Sequence, residues 1–346
     1  MNKVRVTVPA TTANLGPGLD GLALALGLHN VIEISEIEYG FGFDIHGEGI
    51  DRLSYDPDNL VAQAAIRVFQ AAGCAPSGIH VTLMNGIPLD IGLGSSAAAT
   101  LGGAVAANVM LGNPLSREAL LTLTAEIEGR SNAVAAALLG GLVVSHHDDG
   151  ELVYASLPIA PMQIVIIQPY LDDSCRVRTL SDTVALSDAT FNIARAALIP
   201  QALASGDFEL LARAMRDRLH EPQRCELIPG YHKVVEVAHR YGAAAVTVSG
   251  SGPSLIVFSP GEHEMVARAV LRAFRSEDVP ARYWILPIDT QGVSISEMGV
   301  KMAFADRRRP IPASSTPAPL PVYGAPTRQN GVGETLHVAA ANGSLR

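Results

Sequence analysis

The chain has 346 residues, of which 48% are hydrophobic and 17% charged, and its formal net charge is −9. This length indicates about two domains. The acidic balance excludes a protein that wraps nucleic acid, because rows of phosphate are bound by clustered Lys and Arg and the only basic cluster is at residues 307–309. No apolar run is long enough for a membrane span. We therefore expect no nucleic-acid partner, no membrane association and a cytoplasmic location.

Short β-like segments interleave with segments in which apolar residues recur every three or four positions, the helical pattern. The β-like segments are residues 4–8, 32–37, 80–83, 141–145, 162–168, 244–248, 255–258 and 283–287. The helical segments are residues 60–72, 116–128, 189–203, 208–218, 233–241 and 262–276. The mixture predicts an α+β fold with an N-terminal lobe at 1–158 and a C-terminal lobe at 159–305. Residues 306–346 are rich in Pro, Ala and Ser and predict a disordered tail.

Residues 88–98, PLDIGLGSSAA, place a glycine turn directly before an alanine-rich run. Gly92 and Gly94 can take positive φ and leave backbone N–H groups facing a ligand, and Ser95 and Ser96 add hydroxyls where a helix begins. A helix N-terminus attracts phosphate without a lysine. Neither the Walker A nor the GxGxxG spacing is present. The loop alone also fits an ordinary glycine turn capped by serine.

Two further segments have the same character. Residues 9–28, PATTANLGPGLDGLALALGL, carry Gly16 and Gly18 before Asp20, and residues 248–255, VSGSGPSL, set Gly250 and Gly252 around Ser251. In this order and spacing, the three segments resemble the three motifs of the GHMP kinase superfamily. Outside them, DRLHEPQRCELIPGY at 217–231 is similar to the HxPxR and IPG pattern of homoserine kinases, the branch that the chain resembles most.

The resemblance implies a two-lobed α+β fold, with an N-terminal lobe similar to ribosomal protein S5 domain 2 and a cleft for ATP and substrate. It implies transfer of phosphate from ATP to the hydroxyl of L-homoserine, giving O-phospho-L-homoserine for threonine biosynthesis. It also allows a homodimer. The ATP-binding residues that it implies are Asn59, Pro88, Leu89, Asp90, Ile91, Gly92, Leu93, Gly94, Ser95, Ser96, Ala97 and Ala98.

By the same resemblance, Ser96 and Glu128 would hold Mg²⁺, a cation that prefers oxygen ligands. A zwitterionic substrate needs a partner for each charge. Arg224, with Arg176 or Arg178 as second candidates, would clamp the carboxylate. Asp20 would take the ammonium and Asn14 would bond the polar end, although a helix N-cap is an alternative role for Asp20. The loop of Gly250, Ser251 and Gly252 would close over the site.

One segment departs from the family. Homoserine kinases usually carry a string like GHPDNVAPALLGG, whereas residues 129–141 read GRSNAVAAALLGG. The family's His, Asp and Asn are therefore Arg130, Asn132 and Ala133. A neutral amide cannot take a proton, so the chain has no clear general base at Asn132. Arg130 could bind a phosphate or the substrate carboxylate, or extend to solvent. The departure leaves open a different small-alcohol acceptor, or an ATP-binding regulatory homologue that transfers phosphate poorly.

Overall fold

The structure is a computed structural model that describes residues 3–172, 180–181, 183–298 and 309–310. Its strands and helices combine in an α+β fold with two main sheets, as the sequence predicts. The strands are β1 (Lys3–Ala13), β2 (Leu22–Ile37), β3 (Gly40–Gly47), β4 (Cys74–Ala75), β5 (Gly78–Asn85), β6 (Leu142–Asp148), β7 (Glu151–Leu157), β8 (Gln163–Pro169), β9 (Ala245–Val248), β10 (Leu255–Phe258), β11 (Ala281–Pro287), β12 (Ser294–Met298) and β13 (Arg309–Pro310). The helices are α1 (Leu60–Ala71), α2 (Ser95–Met110), α3 (Arg117–Glu128), α4 (Asn132–Leu139), α5 (Leu186–Ser205), α6 (Phe208–Ala214), α7 (Glu221–Cys225), α8 (Tyr231–Arg240) and α9 (His263–Arg275).

The larger sheet is organised around the long strand β2. Its main path runs β12-β1-β2-β5-β3, and β6 and β7 branch from the first half of β2. All of these pairs are antiparallel except β3 with β5. Helices α2 and α4 pack against β1 and β2, and α1 and α3 pack against α2. Alanine and glycine on α2 let its neighbours approach closely, so this small-residue helix is buried at the centre of the lobe.

The smaller sheet is antiparallel in the order β11-β8-β10-β9 and is buried on both faces. Alternate residues of β8 and β10 belong to two cores. Val165 and Val257 pack with the helices α8 and α9, whereas Ile166 and Phe258 join the core of the larger sheet. A strand buried on both faces reads as a continuous apolar run, and this accounts for the sequences QIVIIQP and LIVF. The core of the larger sheet therefore extends onto one face of the smaller sheet, and a second core covers the other face.

Every predicted strand and helix is observed, with shifted ends. Helix α6 ends at Ala214, not at residue 218, because Asp217 begins the capped turn before α7. The strands β3, β7 and β12 and the helices α4 and α7 are not among the predicted segments. The reading of Asp20 as a helix N-cap is wrong, because the apolar run after it is strand β2. An apolar run buried on both sides does not separate helix from strand by its periodicity.

The C-terminal residues return to the larger sheet. Strand β12 pairs with β1, and β13 pairs with β4. The division at residues 158 and 159 stays a prediction, and the tail at 306–346 lies outside the described residues except for Arg309 and Pro310. Among the helices that the structure describes, none combines the length and apolar character needed to cross a membrane.

The close contact between α1 and α2 is testable at Gly103. A Cβ added there would overlap the backbone carbonyl oxygen of Val61. We expect Gly103→Ala to lower the free energy of unfolding by about 1–3 kcal/mol, the usual cost of overpacking, despite a helix-propensity gain of about 1 kcal/mol. Urea unfolding followed by circular dichroism measures the change. Gly261→Ala is the control, because an added Cβ meets no atom there, and equal midpoints for both variants would contradict the packing argument.

Candidate active site

Three glycine-containing loops meet where the two lobes join. The first glycine loop (residues 14–21) follows β1, the second (86–94) precedes α2, and the third (249–254) joins β9 to β10. The Ser249 hydroxyl donates to the Gly92 carbonyl at 2.7 Å, and the Asn14 amide donates to the Gly250 carbonyl at 2.7 Å. The backbone N–H of Gly250 donates to the Ala13 carbonyl at 3.0 Å. The sequence-predicted loops thus form one continuous surface.

The second glycine loop ends at the N-terminus of α2. Gly92 and Gly94 have φ values of 82° and 67°. A Cβ at Gly92 would overlap the carbonyl oxygen of Ser249, so glycine is required for the close approach as well as for the conformation. The N-cap of α2 is Gly94, and no side chain in the described part of the chain caps the helix. The alternative of a serine-capped turn is therefore wrong, and the first N–H groups of α2 form an anion-attracting end.

The hydroxyl of Ser96 lies beside the carboxylate of Glu128, the last residue of α3. Ser96 Oγ donates to Glu128 Oε2 at 2.7 Å, and Thr100 Oγ1 donates to Oε1 at 2.7 Å. A hydroxyl and a carboxylate at an anion-attracting helix end are the oxygen donors that a hard cation prefers. Within the described residues, no group of three or more His, Cys, Asp or Glu side chains is placed to hold a metal ion. A cation here would therefore take further oxygens from a bound phosphate.

Two predicted binding residues use their side chains within the protein. Asn59 is the N-cap of α1, accepting from the Val61 N–H at 3.0 Å and donating to the Ser54 carbonyl at 2.8 Å. Asn14 is buried, and its Oδ1 accepts from the Asp20 N–H at 3.1 Å while its amide N–H groups face the third glycine loop. Both roles toward a ligand stay predictions, and both side chains shape loops of the site.

Asp20, Arg130 and Arg224 are charged residues near the first and third glycine loops. Arg130 Nη1 lies 3.6 Å from Asp20 Oδ1, and both side chains are about half exposed. Arg224 is buried, and its Nη1 donates to the Gly250 carbonyl at 2.8 Å. Burial, and next the charge of Arg130, hold the pKa of Arg224 below its usual value, while Asp20 opposes this shift. This part of the site therefore has two guanidinium groups, of Arg130 and Arg224, and one carboxylate, of Asp20. Arg176 and Arg178 lie outside the described residues.

Comparison with known proteins agrees with this geometry. Models of the GHMP kinases N terminal domain and of the GHMP kinases C terminal match residues 59–141 and 199–279. The homoserine kinase of Carboxydothermus hydrogenoformans is 40% identical over 280 residues, which cover 80% of this chain and 92% of that protein. The chain belongs to the homoserine kinase family of the GHMP kinases. The homoserine kinase of Moorella thermoacetica is 41% identical over 277 residues, 79% of this chain and 93% of that protein.

Solved structures share the fold. The crystal structure of homoserine kinase from Cytophaga hutchinsonii aligns with a TM-score of 0.77 and 28% identity, covering 86% of this chain and 98% of that one. The L. major mevalonate kinase solved in complex with R-mevalonate aligns with a TM-score of 0.57 at 14% identity, covering 82% of this chain and 95% of that one, which shows the fold alone. The chain is accordingly a kinase of this family, and family members use ATP.

At the segment that departs from the family, Asn132 begins helix α4. Its side chain is buried, with Nδ2 3.4 Å from the Leu22 carbonyl oxygen and Oδ1 accepting from the Ala133 N–H at 2.9 Å. The amide thus joins the start of α4 to the start of β2. The absence of a general base at this position stays a prediction.

A buried network behind the first glycine loop is formed by three residues for which the sequence predicted no role: His220, Glu221 and Thr247. Glu221 accepts from the Val248 N–H at 2.8 Å and from the Thr247 hydroxyl. Thr247 Oγ1 in turn accepts from the Gly16 N–H at 3.1 Å. The pattern HEPQR was visible in the sequence as a family string, but Gly16, the partner of its histidine, is 204 positions away in the chain.

Glu221 makes stability depend on pH. Burial raises its pKa from 4.5 to about 7. Because the folded value lies above the unfolded one, the stability that this group contributes is full below the unfolded pKa and is lost as the pH rises through about 7. We expect Glu221→Gln, which cannot ionise, to gain stability relative to wild type by a few kcal/mol at most between about pH 5 and 8.

Urea unfolding at several pH values measures this difference. The control is Glu226→Gln, at an exposed position on the next turn, whose stability should follow the wild-type pH profile. If the profiles of wild type and Glu221→Gln run parallel across this range, the raised pKa of Glu221 is wrong.

Proposed function

We propose that the protein phosphorylates the side-chain hydroxyl of L-homoserine with ATP and Mg²⁺, giving O-phospho-L-homoserine for threonine biosynthesis. The observation that carries the proposal is that the third glycine loop bonds both the loop before the uncapped end of α2 and Arg224, whose neighbours in charge are Arg130 and Asp20. Such a set fits one polyanion and one zwitterion. The names of the curated relatives, at 40% and 41% identity, support the same reaction.

The phosphates of ATP would bind at the second glycine loop and the first turn of α2. Backbone N–H groups and the helix dipole supply the attraction, which explains why the loop contains no lysine. Ser96 and Glu128 would hold Mg²⁺, which neutralises charge on the transferring phosphate. Thr100 is buried and fixes the second oxygen of Glu128, so the carboxylate is oriented before any ligand arrives.

The nucleoside would lie beside the same loop. A cavity of about 510 Å³ is lined by residues 47–52 together with Asn85 and Gly86, where the second glycine loop begins. Arg52, which lines this cavity, donates from Nη2 to Oδ2 of Asp90 in the second glycine loop at 2.7 Å. Asn59 would act here indirectly, because its amide bonds the carbonyl of Ser54, which follows residues 47–52 in the chain.

The acceptor would bind by its two charges. Arg224 would take the carboxylate of homoserine, and Asp20 would take the ammonium group. Arg130 adds a second positive charge near the carboxylate position. Because Asn132 supplies no base, the site would act by positioning the hydroxyl and neutralising charge, which is how phosphoryl transfer is mostly catalysed.

An acceptor screen tests the proposal by measuring ADP release with ATP and Mg²⁺. We expect turnover with L-homoserine, and weak or no turnover with 4-hydroxybutyrate, which lacks the ammonium group, or 3-aminopropan-1-ol, which lacks the carboxylate. A preference for another alcohol would replace homoserine as the acceptor. If ATP binds by calorimetry but no acceptor stimulates ADP release, the chain is a binding homologue and the proposal fails.

Ser96 and Glu128 can be tested as the metal-binding pair. We expect Ser96→Ala and Glu128→Gln each to lower kcat/KM by about 10²-fold, the usual effect of removing one group that stabilises transition-state charge. Higher Mg²⁺ should be needed for half-maximal rate. The control is Glu126→Gln, two residues earlier on α3, where the carboxylate is exposed and lies 3.5 Å from Arg67. Unchanged Mg²⁺ dependence in both site variants would remove the pair from the metal site.

A further inference from the structure

His220 precedes helix α7 and is fully buried between two parts of the site. Its Nε2 lies 2.7 Å from the Gly16 carbonyl oxygen of the first glycine loop. Its Nδ1 lies 2.8 Å from Nη1 of Arg224. Both ring nitrogens therefore have one partner each, and the two partners belong to different lobes. This imidazole is a bridge between a backbone carbonyl and a guanidinium.

The two partners determine where the proton of the ring lies. A guanidinium only donates hydrogen bonds, so Nδ1 of His220 must accept from Arg224. A carbonyl only accepts, so Nε2 must carry the proton and donate to Gly16. The neutral form satisfies both contacts, whereas the doubly protonated ring would place two donors against each other. Burial, the largest influence, lowers the pKa of His220 and favours the neutral form.

The contacts of Arg224 leave one edge of its guanidinium free. Both protons of Nη1 are used, one by His220 Nδ1 and one by the Gly250 carbonyl. Arg224 is only 6% exposed, and its buried Nε has no hydrogen-bond partner in the described part of the chain. The remaining edge, Nε with Nη2, is the one that binds a carboxylate through two parallel hydrogen bonds. The protein thus bonds Nη1 of Arg224 and leaves the edge formed by Nε and Nη2 for a ligand.

Gly16 is a rigid support for this arrangement. Its N–H donates to Thr247 Oγ1 at 3.1 Å while its carbonyl accepts from His220. Its φ is 64°, and a Cβ there would overlap the backbone carbonyl oxygen of Met215. Because Gly16 is bonded through both its N–H and its carbonyl, it holds the imidazole of His220 in place. The imidazole in turn holds the guanidinium of Arg224.

We propose that His220 is a positioning residue of the acceptor site, which joins the first glycine loop to Arg224 and holds the free edge of the guanidinium toward the substrate carboxylate. The proposal rests on the proposed function, because it takes Arg224 as the carboxylate-binding residue. His220 itself touches no reacting atom. It acts on the affinity for homoserine and leaves the binding of ATP alone.

The charges that face His220 define its response to pH. Asp217, whose Oδ1 lies 3.9 Å from Nε2, favours protonation, as do the bond to Gly16 and the charge of Asp20 in the first glycine loop. Arg224 opposes it, as does burial, and the adjoining carboxyl of Glu221 bonds β9 instead. As the pH falls through the lowered pKa of His220, protonation breaks the contact with Arg224. The KM for homoserine should therefore rise at acid pH.

Two substitutions separate the two contacts. His220→Gln keeps a donor at the Nε2 position and loses the acceptor for Arg224, whereas His220→Asn keeps an acceptor near Nδ1 and loses the bond to Gly16. We expect His220→Gln to raise the KM for L-homoserine about 10- to 100-fold, the value of a hydrogen bond to a charged group. The KM for ATP should not change, and kcat should stay near wild type. His220→Asn should show a smaller rise, and one that no longer grows as the pH falls.

Controls limit the effect to the carboxylate. 3-Aminopropan-1-ol, used as a competitive inhibitor, should bind wild type and His220→Gln equally. His239→Gln on α8 should behave as wild type, because His239 bonds the Ala243 carbonyl and no site residue among those described. An unchanged homoserine KM in His220→Gln, or an equal loss of affinity for ATP, would overturn the positioning role. If His220→Gln does not fold, the pH profile of His220→Asn decides, since a persistent acid rise overturns the role. A wild type that is inactive with homoserine overturns the proposed function first.

Discussion

The packing of the second glycine loop against the third is the contact on which the site depends. The Ser249 carbonyl occupies the space that a side chain at residue 92 would fill, and the Ser249 hydroxyl bonds both the Gly92 carbonyl and Thr12 Oγ1. These buried polar groups are satisfied only when β1, the second loop and the β9–β10 turn are all in place. A fully satisfied buried network rigidifies its surroundings. The N–H groups of α2 and the charged residues of the acceptor side are thereby held in one frame.

This frame explains how a kinase site can be assembled with few charges of its own. In the proposed site, the phosphate half would rely on backbone groups and on Glu128, whose two oxygens are held by Ser96 and Thr100. The acceptor half would rely on Arg224, which bonds His220 and the Gly250 carbonyl. Preorganised groups cost little reorganisation when the reaction occurs. Positioning of this kind reduces the need for a carboxylate base at position 132, where this chain has asparagine.

Local sequence signals predicted the parts of the site better than their connections. Gly92 and Gly94 were predicted because glycine turns are readable from a few neighbouring residues, whereas the metal-binding roles of Ser96 and Glu128 came from the family resemblance and stay predictions. Asn59 carried the signal of a helix N-cap, Asn directly before an apolar helix, which explains its buried amide. His220 could not be given a role, because its partner Gly16 lies 204 positions away and no local pattern reports that contact.

The strands and helices were likewise predicted best where their sequence signal is local. Strands such as β10 were predicted because their apolar runs are short and bounded by turns, whereas the segment after Asp20 was ambiguous. Its residues Leu22 to Leu26 are all buried, since β2 is covered on both faces there. The alternation that marks a strand is absent under those conditions. The strands β3 and β12 were missed for the opposite reason, because edge positions expose much of their length.

The departure at Arg130 is compatible with substrate binding for an electrostatic reason. Arg130 and Asp20 are separated by 3.6 Å and both are about half exposed. An ion pair of this kind contributes no more than about 1 kcal/mol, because solvent screens it and two long side chains must be ordered. In the proposed site, an incoming ammonium group would therefore displace Arg130 from Asp20 at low cost. A substrate carboxylate bound by Arg224 would relieve the repulsion from Arg130, which adds to burial in lowering the pKa of Arg224.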